Sequence, residues 1–216
     1  MSFEEMKQGL WPEKGGKLIK ETDNYYHFAH FGWGDVETQL YGYMEGYKEA
    51  ADNLIEHATN SKNIKILDTL VFPICFLYRQ YLELVMKSIF LKYSGVSEEE
   101  KVNVIKGVSH SLVKIWDKIV PIISEEATKD EMEDINIVAD YIRQFSDFDK
   151  SSFTFRYPIN KKIDLLFNED KFLDLINLRE RMNELYNFFG GCDGKLDSIR
   201  DFKYEMMSYY MSDMDY

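Results

Sequence analysis

Residues 66–93 read ILDTLVFPICFLYRQYLELVMKSIFLKY, and this stretch decides the fold class. Leu70, Ile74, Leu77, Tyr81, Val85 and Ile89 recur at steps of four and three, which is the period of one helical face. Leu67, Val71, Phe76, Tyr78, Leu82, Leu84 and Phe90 widen that face until the helix is apolar almost all round, and such a helix is buried by its neighbours. Pro73 either sits in the first turn or kinks the helix, because its ring clashes with the preceding turn and it offers no N–H. The unbroken apolar run from Leu70 to Tyr78 stops at Arg79, well short of the ~18 residues of a membrane span, so a core helix is expected and no membrane partner.

A polar stripe crosses this helix. Arg79, Glu83 and Lys87 are spaced by four and share one face. On so apolar a helix they must meet water, a cleft or buried partners, since an unpaired buried charge is very costly. One reading is a salt-bridge seam, with Glu83 and Lys87 in the favoured order and Arg79 paired to Glu83, Asp147 or Asp149. The other makes Arg79 an anion binder, using its planar fork of donors at a cleft.

On the N-terminal side, residues 1–34 have no sustained period and end in the aromatic cluster Tyr25, Tyr26, Phe28, Phe31 and Trp33, which reads as a docked arm. Asp35 can cap a helix whose stripe is Val36, Leu40, Tyr43, Tyr47, Ala50 and Leu54, with Gly46 admitting a close neighbour. On the C-terminal side, Ser97-Glu98-Glu99-Glu100 and Thr128-Lys129-Asp130-Glu131 are capping-box patterns. The first opens a short helix to Lys106, stopped by Gly107. Ser109 then caps a helix through Leu112, Ile115, Trp116 and Ile119 that Pro121 ends or bends. The second box opens a helix through Ile135, Val138, Ile142 and Phe145. Phe153 to Pro158 alternates and ends in proline, which predicts an extended segment. A helix over 170–189 is stopped by Gly190-Gly191, and a last one begins near Asp193. The expected architecture is therefore all-α: a single-domain bundle of about six to seven helices over 35–212, with an irregular N-terminal arm over 1–34.

Composition narrows function. The 216 residues hold 38 acidic and 26 basic side chains, and the net charge of −12 disfavours RNA as a partner unless a local basic cleft exists. The first eleven residues lack a basic segment followed by an apolar one, so the expected address is the cytoplasm. Cys75 and Cys192 form no knuckle, and His27 and His30, three apart near Asp23, are too few for a metal site, so neither metal nor cofactor is expected. His110, between Ser109 and Ser111 at a helix start, is the candidate general base. Arg156, between aromatics, is the candidate clamp tying its loop to the helices through carboxylates.

The run Phe72 to Lys87, with His110-Ser111-Leu112-Val113-Lys114-Ile115-Trp116, Asp149 to Ser152 and Phe155-Arg156-Tyr157-Pro158, resembles bacterial members of the HEPN-like helical superfamily over roughly residues 36–190. The resemblance implies a helical bundle, often homodimeric, in toxin-antitoxin, phage-defence, stress or RNA-processing systems. Active members resemble metal-independent ribonucleases with an arginine and, shortly after it in the same helix, a histidine. Here the only arginine preceding any histidine is Arg79, and His110 lies on a later helix. The expectation is therefore a non-catalytic HEPN-like protein acting through protein association, as a homodimer or with another protein. The alternatives are a metal-independent endoribonuclease with a rearranged site of Arg79, His110 and Arg156, and an acidic inhibitor from a phage or mobile element that mimics nucleic acid.

Overall fold

The computed structural model describes residues 11–149, apart from residue 13, and 152–214, with side chains to residue 211. The chain divides into two compact units, Met1–Gly34 and Asp35–Tyr216. Residues 11–34 hold no helix among those described. A turn there closes with the His27 N–H donating to the Asn24 carbonyl at 2.9 Å, and Tyr25 meets Phe28 edge to face at 5.3 Å.

The second unit is an all-helical bundle: α1 Val36–Ser61, α2 Ile64–Tyr93, α3 Glu98–Val108, α4 Leu112–Ile123, α5 Lys129–Phe148 and α6 Leu175–Met214. No strand occurs among the described residues, and the stretch between α5 and α6 holds a single antiparallel bridge, Ile159 to Leu165. Capping sets most helix starts. Asp35 accepts from the Thr38 N–H at 2.8 Å and Asn63 from the Lys65 N–H at 3.0 Å. Thr128 and Glu131 form the full reciprocal box, whereas at Ser97 the serine half forms, accepting from the Glu100 N–H at 3.3 Å.

The bundle is built round α2. Ile74, Tyr78, Leu82 and Met86 are completely buried, and each such side chain contributes roughly 1.5–3 kcal/mol of transfer free energy. By length and composition α2 could cross a membrane, yet in the bundle it is the core helix, packed with α1, α4 and α6. Against it α1 sets Ala51, Ile55 and Ala58, all fully buried. The close approach of these two helices comes from those alanines; a side chain added at Gly46 would meet nothing within 4 Å. Pro73 lies well inside α2 rather than in its first turn.

The helix expected from residue 170 starts at Leu175, capped by Asp174, and four further boundaries differ from expectation, each for a physical reason. α3 runs through Gly107 and ends at Val108, because Ser109 takes the left-handed turn at φ 51°. Ser111, not Ser109, caps α4, which passes Pro121 to reach Ile123. Phe153 to Tyr157 is a tight turn rather than an extended segment, with the N–H groups of Arg156 and Tyr157 both donating to the Phe153 carbonyl at 3.0 Å. The predicted break at Gly190-Gly191 is absent: α6 is continuous for 40 residues from its Asp174 cap. Leu185 and Phe189 before the glycines and Cys192 and Leu196 after them pack on the same core, so tertiary contact on both sides overrides the local preference.

From Asp201 to Met211 every side chain of α6 is exposed. Phe202, Tyr204, Met207, Tyr210 and Met211 are each more than 60% open. Because Cβ atoms at Gly190 and Gly191 would meet nothing within 4 Å, Gly190→Ala and Gly191→Ala should each raise stability by about 0.5–1 kcal/mol in urea denaturation.

Candidate functional site

The polar stripe of α2 assembles into one charge cluster. Arg79 donates through Nη1 to Glu83 Oε2 at 2.8 Å, one turn along the same helix. Lys87, one further turn on, donates to Glu83 Oε1 at 2.7 Å. Asp149 arrives from the end of α5, where it is the C-cap, and its Oδ2 lies 2.8 Å from Arg79 Nε. That contact is an ion pair held by charge, outside linear hydrogen-bond geometry. The other oxygen of Asp149 accepts from the Thr154 N–H at 3.2 Å, so the same carboxylate anchors the turn at 153–157.

The fourth contribution comes from the α3–α4 turn. The left-handed conformation of Ser109, costly for a residue with a Cβ, brings His110 over the polar stripe. The His110 carbonyl accepts from Arg79 Nη2, and its Nδ1 lies 2.8 Å from Glu83 Oε1. All three Arg79 nitrogens are thus engaged, and the residue is 2% exposed. The His110 side chain is 60% exposed and borders the cluster from the solvent side.

Two cations, Arg79 and Lys87, balance two anions, Glu83 and Asp149. Burial by itself would raise the Glu83 carboxyl, but hydrogen bonds from Lys87, Arg79 and His110 outweigh it and hold the group below the ordinary value of 4.5. Cys75 lies near Asp149, and burial together with that charge pushes its thiol up to about 12, which keeps it protonated and unreactive.

The sequence brought Arg79, Glu83, Lys87, Asp149 and His110 forward, and the structure gathers all five. It does not bring Arg156 to them. Arg156 donates through Nε and Nη2 to the Ser152 carbonyl at 3.1 and 2.8 Å and stacks over Phe153 at 4.5 Å, so its clamp closes on its own turn rather than on a helix carboxylate. A second buried cation escaped notice: Lys48 donates to Asp52 at 2.5 Å and to Asn183 at 2.6 Å, while Tyr78 donates to Asp52 at 2.5 Å. Its signal was the i, i+4 pair Lys48 and Asp52 flanking the buried Ala51.

Chemically, the cluster holds its charges rather than offering them. The cavities of about 300 Å³ beside α5 and α6 and about 610 Å³ beside Phe72 and Phe167 are lined by neither Arg79 nor His110. Among the described residues no group of three or more His, Cys, Asp or Glu side chains is placed to hold a metal ion. No protein-family model, curated protein or solved structure matches the chain.

Arg79→Leu leaves Glu83 and Asp149 facing each other without their shared cation and should cost about 3–5 kcal/mol of stability by chemical denaturation. His110→Ala keeps the backbone carbonyl and should cost less than about 1 kcal/mol. The depressed Glu83 carboxyl stabilises the fold fully above its unfolded value of 4.5, and that stabilisation is lost as pH falls through the lower folded value. In Glu83→Gln the acid limb of a stability–pH profile should therefore flatten.

Proposed function

We propose that this chain is a non-catalytic, HEPN-like helical module that works by associating with another protein chain. The observation that carries the reading is the complete engagement of Arg79. A catalytic arginine must present part of its fork to charge developing on a phosphoryl oxygen, and this guanidinium is spent on Glu83, Asp149 and the His110 carbonyl. The stripe shared with the resembling sequences therefore serves to position α2, the α3–α4 turn and the end of α5. Recognition falls to other surfaces. The exposed aromatic and methionine side chains of α6 supply apolar area of the kind that marks protein contact sites. The reading also takes α2 as the core helix of a protein in solution, with Ile74, Tyr78, Leu82 and Met86 fully buried in the bundle.

One observation favours a second reading, a metal-independent endoribonuclease. The exposed His110 imidazole rests on Glu83 at 2.8 Å, the pairing of a general base with the group that orients it. Lys87, bonded to the same carboxylate and not sealed as Arg79 is, would then be the nearest cation for a phosphate.

Incubation of the purified protein with structured and single-stranded RNA in EDTA separates the two. The expected result is intact RNA. Cleavage that disappears in His110→Ala, with helical content unchanged by circular dichroism, would replace the association reading with the enzymatic one.

A further inference from the structure

Four phenylalanine rings from separate parts of the bundle meet in one cluster. Phe72 belongs to α2, Phe148 ends α5, Phe155 lies in the turn at 153–157 and Phe167 in the connection to α6. The Phe148 ring centroid is 5.3 Å from that of Phe155 and 5.9 Å from that of Phe167, and Phe167 is 6.1 Å from Phe155 and 6.4 Å from Phe72. All four rings line the cavity of about 610 Å³, a volume within the range of small-ligand sites. Its lining also carries four carboxylates, Asp68, Glu169, Asp170 and Asp174, against one cation among the described residues, Lys171. Asp174 is committed to capping α6, whereas Asp68, Glu169 and Asp170 make no ion pair among the described residues.

Lys171 shows what this wall attracts. The residue is exposed, yet its Nζ lies over two rings, 5.8 Å from the Phe148 centroid and 5.7 Å from that of Phe167. The face of an aromatic ring is electron-rich and draws a cation held within about 6 Å of its centroid. The carboxylates of the lining favour the same sign of charge.

We propose that this cavity binds a small organic cation with a quaternary ammonium head, which displaces the Lys171 ammonium from Phe148 and Phe167. The inference goes beyond the association reading and does not depend on it. The lysine ammonium is compact and strongly hydrated, so it gives up much water to approach a ring. A head whose charge is spread over methyl groups gives up less and packs those methyls on the ring faces. A metal ion is a poor match, because phenylalanine offers it no ligand atom and the carboxylates do not converge. An anion is opposed by the lining charge, and a neutral apolar ligand leaves that charge unused. The volume leaves room beside the head for a chain or ring.

Titration of the whole chain with choline at fixed ionic strength, following the choline methyl resonance by NMR, tests this. The expected result is saturable binding with an upfield shift, the ring-current signature of methyl groups over aromatic faces. The uncharged alcohol in which carbon replaces the choline nitrogen should bind about tenfold more weakly. Phe148→Leu and Phe167→Leu keep an apolar side chain but remove a ring face, and each should cut that preference severalfold. Lys171→Met removes the tethered competitor and should tighten choline binding severalfold. Circular dichroism should show unchanged helical content in all three variants. Absence of saturable choline binding, or equal binding of the uncharged alcohol, overturns the cation site. A preference unchanged in both phenylalanine variants overturns the rings as its source. Choline affinity that is unchanged or weaker in Lys171→Met overturns the displacement.

Discussion

The burial of Arg79 is the constraint on which the rest of the structure depends. Moving an isolated guanidinium from water into a protein interior costs several kcal/mol even after relaxation, and arginine does not escape by losing its proton. The charge must be met where it stands. Glu83 can do part of this from within α2, but Asp149 and the His110 carbonyl come from 70 and 31 residues further along the chain. The end of α5 and the α3–α4 turn are therefore held to hydrogen-bond tolerance against a helix they meet only after folding.

Similar polar ties fasten α2 elsewhere along its length. Near its middle, Tyr78 donates to Asp52 of α1, whose partner Lys48 in turn reaches Asn183 of α6. At its C-terminal end, Lys92 bonds Asp193 and Asp197, and Tyr93 donates to Asp193 at 2.7 Å. The division of labour is clear from magnitudes. Apolar burial along α2 supplies most of the stabilisation and is nearly indifferent to small slips of register. The buried ion pairs add little net energy relative to apolar replacements, but a slip that separates them leaves a bare charge and is heavily penalised.

How much of this was readable from residues alone depended on whether a feature was local. Periodicity gave α2 its place at the centre, and the Thr128–Glu131 box and the Asp35 cap gave two starts, because those signals lie within one turn of the atoms they govern. The i, i+4 spacing of Arg79, Glu83 and Lys87 announced the cluster, while Glu83, Asp147 and Asp149 stood as alternative partners for Arg79, of which the fold uses Glu83 and Asp149 together. The failures share a cause. Gly190-Gly191 is a strong local stop, yet Phe189 and Cys192 on either side are held by the same distant core. Ser109 and Ser111 are equally good caps by type, and only the backbone turn that delivers His110 to Glu83 decides between them. Arg156 sits among aromatics as a clamp would, but the turn at 153–157 places the Ser152 carbonyl nearer than any carboxylate.

The long separation between Arg79 and Asp149 also orders events in time. A ribosome releases the chain from its N-terminus, so α1 and α2 are complete while the residues of α5 have yet to be made. During that interval Arg79 and Glu83 have each other but neither Asp149 nor the His110 carbonyl, and the face of α2 destined for α4 and α6 has no cover. The closure of Arg79 by Asp149 and the covering of α2 are therefore separate events, since the carboxylate arrives with α5 while the last helix to cover α2, α6, is made after it.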